Sequence, residues 1–251
     1  MTTWFTRLGV AFFGWLWWLV LPVRRAVARD NLHRALPGAP THLLRHAVGS
    51  VAWGYLELLA GRRVAWTGLE EARGGAVLFT AHLGPWDLCL LAAARIAPLT
   101  VFLKVPSNPV AAWLIARLRA HPDVDLEPLP VQGSLAAARR ALDRGRVVVF
   151  VLDQRHAAGL PVPFFHTPAW TSAAYAALVH RCQPRLFATT QWRTADGRLV
   201  AHAQRLHWTI PDDRDEAIAH LTARTQQWLE ARVREHPADW WWLHRRWRSP
   251  R

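Results

Sequence analysis

Two apolar runs constrain the fold most: Ala76-Val-Leu-Phe-Thr-Ala81 and Val147-Val-Val-Phe-Val-Leu152. A strand with one wet face alternates apolar and polar residues. A run that does not alternate needs cover on both faces, as in a sheet sandwiched between helices. The rest of the pattern supplies that cover. Helical spacing is predicted over His42–Leu59, Trp86–Ile96, about Asn108–Ala120, Ser134–Arg144, Thr171–Cys182 and Asp215–Glu235. Further strands are expected at Val64–Gly68, Leu99–Leu103 and Val124–Leu129. Arg185–Arg193 and Leu199–Leu206 read as a hairpin across Ala195-Asp196-Gly197. Residues 155–170 read as a Pro-rich loop. The expectation is one α/β domain over residues 31–251, with a central, mainly parallel or mixed sheet flanked by helices.

Residues 1–30 read differently. Leu8 to Val23 runs without a charge and is flanked by Arg7 and by Arg24, Arg25 and Arg29. It falls just short of the ~20 apolar residues that a spanning helix wants. No small-residue cleavage site follows it, so an uncleaved N-terminal membrane anchor is expected, with an interfacial helix or a buried core helix as the alternatives. The basic cluster would remain cytoplasmic.

The net charge of +13 on 251 residues calls for an anionic partner: nucleic acid, acidic lipid headgroups or an acidic carrier protein. Sixteen tryptophans favour a wet–apolar boundary such as a membrane interface. The aromatics cluster with apolar runs and not in a basic nucleic-acid module, so nucleic acid is not expected. Cys89 and Cys182 are far apart and the histidines show no metal-ligand motif. No disulfide framework, metal or cofactor is expected. The absence of G-x-S-x-G argues against serine-hydrolase chemistry.

The chemistry concentrates in Thr80-Ala-His-Leu-Gly-Pro-Trp-Asp87. His82 follows a buried strand, and Asp87 stands in the first turn of the next helix. Ligand sites in open α/β sheets gather at such carboxyl ends. A strand–turn–helix corner can bring the pair into hydrogen-bond reach, Asp87 orienting the ring and His82 activating a hydroxyl as general base. Backbone N–H groups near the helix start are expected to help hold an oxyanion.

His82-Leu-Gly-Pro-Trp-Asp87 resembles the H-x-G-x-W-[DE] form of the H-x4-D motif in bacterial lipid A secondary acyltransferases, the lauroyl/myristoyl transferase group. Other matches follow in order: Arg29-Asp-Asn-Leu32 with Ala35-Leu-Pro37, Asn108-Pro109 with Arg117-Leu-Arg119, Val151-Leu-Asp-Gln154, Val162-Pro-Phe-Phe165 with Pro168-Ala-Trp-Thr171, and Pro237-Ala-Asp-Trp240 with His244-Arg-Arg-Trp247. Pro85 stands where Asn is usual, and His166 where Gly is common. The resemblance implies a glycerol-3-phosphate-acyltransferase-like fold at the inner membrane, its catalytic domain facing the cytoplasm. It implies transfer of a fatty acyl chain from acyl carrier protein, or acyl-coenzyme A, to a hydroxyl of a lipid A precursor or related glycolipid. His82 and Asp87 would be catalytic. Arg119 would contact phosphate or oxyanion, Asp153 and Gln154 would line the substrate site, and Phe164 and Phe165 would line an acyl channel. The F-P-E-G-x-[ST] block of glycerol-phosphate enzymes is missing, while a phosphatidylinositol mannoside or amino-acid lipid acceptor stays open. The Trp240–Trp247 tail reads either as a patch facing anionic lipid or as a segment docked on the domain.

Overall fold

The computed structural model describes residues 3–103, 116, 123–130 and 135–248. Helices α1 (Thr3–Leu19), α2 (Arg25–Ala35) and α3 (His42–Leu59) precede the sheet. Then come β1 (Ala65–Thr67), β2 (Ala76–Thr80), α4 (Trp86–Ala93), β3 (Leu99–Leu103), β4 (Leu126–Pro130), α5 (Leu135–Asp143) and β5 (Val147–Val151). The hairpin β6 (Leu160–Phe164) and β7 (Thr167–Thr171) leads to α6 (Ala174–Cys182), β8 (Leu186–Arg193), β9 (Leu199–Leu206) and α7 (Arg214–Glu235). The expected Asn108–Ala120 helix, with Arg119, lies outside the described residues apart from Ala116.

Seven strands form one sheet in the order β1-β9-β8-β2-β5-β3-β4. Strands β8, β2, β5, β3 and β4 run parallel, and β9 returns antiparallel to β8. The two non-alternating runs are its adjacent centre, β2 beside β5. Their residues divide between the two faces. Val77, Phe79, Val148 and Phe150 pack with α6, α7 and the C-terminal segment. Leu78, Val147 and Val149 face the other way, toward Ala93, Leu99 and Val101. The expected mixed, mostly parallel α/β domain is the observed one.

Helix α1 ends four residues earlier than the charge-free run does, at Leu19, and lies antiparallel on α3. Close approach depends on glycine: a Cβ on Gly49 would sit 2.0 Å from the Val10 carbonyl oxygen, and one on Gly14 2.4 Å from that of Arg45. Thr6, Val10 and Trp17 form the buried stripe, while Trp4, Phe5, Leu8, Phe12, Trp15 and Leu19 point outward. No helix among the described residues is long and apolar enough to cross a membrane. Helix α7 is capped at one end and charge-matched at the other. The Asp213 carboxylate accepts from the N–H groups of Asp215 (3.0 Å) and Glu216 (2.8 Å), and Arg232 and Arg234 lie in the last turn.

The Pro-rich loop is a correction: it contains the β6–β7 hairpin. Pro161, Pro163 and Pro168 obscure it in sequence, but in a two-stranded ribbon a proline nitrogen can face outward and cost no ladder bond. Its two-residue turn puts Phe165 at φ 50° and His166 at φ 61°. Both central residues of a type I′ turn need positive φ, which explains why glycine suits the position of His166. His166→Gly is therefore expected to stabilise the protein by about 1 kcal/mol in denaturant unfolding. An unchanged or lower midpoint would refute the strain.

Candidate active site

The register of the central strands builds the site. Thr80 pairs with Val151 across β2 and β5, so two residues further on His82 and Asp153 leave the sheet side by side. The His82 Nδ1–H donates to Asp153 Oδ1 at 2.7 Å, and the His82 backbone N–H donates to Asp153 Oδ2 at 2.9 Å. The indole Nε1–H of Trp240 donates to the same Oδ2 at 2.8 Å. Asp153 is fully buried. Burial pushes its carboxyl upward, but the charge and hydrogen bonds of His82 outweigh this and hold it well below the usual carboxylate range.

With Nδ1 carrying the proton, the Nε2 lone pair of His82 is left facing outward. The side-chain amide nitrogen of Gln154 lies 3.1 Å from it and 3.3 Å from Nε2 of His244. The His244 ring stands edge-on to His82, centroids 4.6 Å apart, and Trp86 flanks the other side at 4.9 Å. Burial, then the neighbouring His82, lowers His244 to about 3, so its imidazole is neutral. His82, Asp153 and His244 are also the one cluster among the described residues whose geometry suits a cation. Asp153 already accepts three hydrogen bonds, so binding a cation would break part of that set.

Asp87 occupies the first turn of α4, where its carboxylate accepts from the Tyr55 hydroxyl at 2.8 Å. The carboxylate on Nδ1 of His82 is thus Asp153. The spacing in sequence pointed to Asp87 because that relation is local, whereas Asp153 arrives through strand pairing 71 residues away. Three of the backbone N–H groups at this corner are committed elsewhere. The N–H of Leu83 bonds to Ala81 O, that of Gly84 to Asp239 O and that of Trp86 to Gly84 O.

A cavity of about 610 Å³ runs from His82, Asp87 and Gln154 between the sheet and α4, past Leu78, Cys89, Ala93 and Val149. Its size and apolar walls with a few polar groups at one end suit a small ligand or lipid chain. Phe164 and Phe165 are not among the described residues that line it. They are buried against Trp240 and Trp247, because the β6–β7 hairpin turns them into the opposite core.

Of the two readings of Trp240–Trp247, docking is the observed one: Trp240, Trp242 and Arg246 are fully buried. The Trp241 N–H bonds to His82 O, and Leu83 bridges to Trp240. Arg246 donates to Gln154 O (3.1 Å), Trp170 O (2.9 Å), Thr171 Oγ1 (2.6 Å) and Gln226 Oε1 (2.9 Å). Asn31 on α2 binds the carbonyls of Trp242 (2.7 Å) and His244 (2.5 Å). The pairing of the Arg29–Leu32 motif with the tail motif was the available signal for this strap.

Asp239 in the strap is almost wholly buried, and burial pushes it from 3.8 up to about 7 despite the Arg193 N–H at 3.2 Å and the Arg193 charge. The folded state thus binds this proton more tightly than the unfolded state does. Its contribution to stability is complete below the ordinary carboxyl value and is lost as pH rises through about 7. Asp239→Asn is expected to raise stability at pH 8 by a few kcal/mol and change it little at pH 4. Denaturant titrations at both pH values test this, and an equal effect at both would refute it.

A carboxylate-held imidazole at the end of a mostly parallel sheet, above a largely apolar cavity, is an arrangement suited to group transfer. Residues 61–249 match bacterial lipid A biosynthesis acyltransferase, and the chain belongs to that family. It is an acyltransferase acting on lipid. The crystal structure of the 1-acyl-sn-glycerophosphate (LPA) acyltransferase PlsC from Thermotoga maritima is similar over 91% of this chain and 98% of that one. The identity there is 11% and the TM-score 0.39. No curated protein matches the chain in sequence.

Proposed function

We propose that the protein transfers a fatty acyl chain from a thioester, on acyl carrier protein or coenzyme A, to a hydroxyl of a lipid A precursor or related glycolipid. The observation that carries this reading is the 2.7 Å Asp153–His82 hydrogen bond, with Nε2 turned toward the cavity mouth. His82 Nε2 takes the proton of the acceptor hydroxyl while its oxygen attacks the thioester carbonyl carbon. The tetrahedral intermediate collapses with loss of the C–S bond. The imidazolium returns its proton to the departing sulfur, giving an ester and a free thiol. Asp153 fixes the tautomer and stabilises the imidazolium. Asp87, which also lines the cavity, adds a second carboxylate beside that charge. The acyl chain lies along Leu78, Val149 and Ala93, each buried methylene contributing about 0.8 kcal/mol. Arg119 contacts a phosphate of donor or acceptor, because guanidinium matches phosphate oxygens.

The protein works at the cytoplasmic face of the inner membrane, held there peripherally. The exposed apolar face of α1 lies in the interface. Beside it are cations stacked on tryptophan: Arg25 and Arg29 over Trp18 and Arg45 over Trp15, within reach of anionic headgroups.

The test is expression in a host lacking its own late lipid A acyltransferases, followed by mass spectrometry of the glycolipid. One added acyl group is expected with the native chain and none with His82→Ala present at equal abundance. An unmodified glycolipid with the native chain would reject the acceptor. Full acylation by His82→Ala would reject the base.

A further inference from the structure

The backbone N–H groups of His82, Leu83, Gly84 and Trp86 are committed inside the protein, yet the tetrahedral intermediate needs a donor for its negative oxygen. At the same corner the side-chain amide of Gln154 stands between two imidazole nitrogens, beside the reacting atoms. We propose that this amide is the oxyanion donor, and that in the resting enzyme it is parked on the lone pair of the base. The inference rests on the reading of His82 as base.

The proton assignments follow from the contacts. Asp153 is an acceptor facing Nδ1, so Nε2 of His82 is an acceptor too, and a neutral His244 assigned its Nδ1–H tautomer offers one further lone pair at Nε2. An amide NH2 has two hydrogens, one for each. Turned over, its oxygen would meet two lone pairs, so the contacts select the nitrogen. The backbone beneath is fixed by Arg246, which donates to Gln154 O and is fully buried. The side chain itself is exposed at the cavity mouth and is free to swing on that anchored base.

The acceptor hydroxyl donates into the His82 lone pair and so displaces the amide from it. The freed hydrogen then points into the space beside the base where the carbonyl oxygen becomes negative. His244 keeps the other hydrogen and holds the amide within reach. As the hydroxyl proton passes to Nε2 and the C–O bond forms, the carbonyl π pair moves onto oxygen and is met by the N–H. When the C–S bond breaks, the pair returns to the carbonyl and the amide resumes its place on Nε2. Gln154 is thus a catalytic residue and His244 its positioning residue.

Gln154→Met and Gln154→Glu remove the donor at similar length on an exposed side chain. Both are expected to lower kcat by about 100-fold with no rise in the acceptor KM, the effect of losing one oxyanion donor. Without substrate, diethyl pyrocarbonate should modify His82 about fivefold faster in Gln154→Met, read by peptide mass spectrometry, since one hydrogen bond of about 1 kcal/mol no longer covers Nε2. If Gln154 and His244 act as one arm, adding His244→Leu to Gln154→Met should lower kcat little further. A kcat within twofold of native for Gln154→Glu, a loss residing in KM, or unchanged His82 modification in Gln154→Met would each overturn the proposal. Full activity of His82→Ala would instead remove the base reading beneath it.

Discussion

Asp153→Asn is expected to cut kcat by about 10⁴ while leaving the fold intact. The argument follows from which oxygen does what. Oδ2 accepts two N–H groups, from the His82 backbone and Trp240, so it can be replaced only by the amide oxygen. The new NH2 must then occupy the place of Oδ1 and donate toward Nδ1. The ring responds by moving its proton to Nε2, which deletes the lone pair proposed to accept the substrate proton. The wrong tautomer costs a serine-protease triad about this factor. Steady-state kinetics with a thioester donor, alongside a circular dichroism melt, checks it. A loss below tenfold in a well-folded variant would mean that Asp153 does not set the tautomer.

The second large effect concerns Trp240. Truncation to Ala removes a fully buried indole from a cluster with Phe164, Trp242 and Trp247, at a cost of about 3–5 kcal/mol. For a chain of this size that is a fall of roughly 10 °C in Tm. Trp240→Phe separates packing from polarity. It keeps most of the ring and loses only the N–H to Asp153, so it should melt within a few degrees of native but turn over about tenfold more slowly. Equal activity in native and Phe variants would reduce Trp240 to packing alone.

The central fold was legible because β2 and β5 announce themselves as doubly covered strands, and the helical patterns between them supply the cover on both faces. Their adjacency was the missing step. Had Thr80 been set against Val151, His82 would have fallen opposite Asp153 before any coordinates existed. The local spacing drew attention to Asp87 instead, whose carboxylate meets Tyr55. Helix α2 escaped notice because its short apolar stripe, with Ala28, Leu32 and Ala35, is interrupted by five charged or histidine side chains. The β6–β7 hairpin was hidden by prolines, and with it the burial of Phe164 and Phe165. The tail was ambiguous in principle: an aromatic–basic string has the same composition whether it faces headgroups or a core. Its partners, Asn31, Asp153 and Gln226, are separated from it by 20 to more than 200 residues.

The strap over the catalytic corner also sets a schedule for the growing polypeptide. Strands β2 and β5, with His82 and Asp153, leave the ribosome long before residues 237–247 do. A nascent chain halted at residue 236 possesses the base and its carboxylate but lacks Trp240, His244 and the Arg246 anchor under Gln154. The corner is therefore completed only as the last described segment emerges.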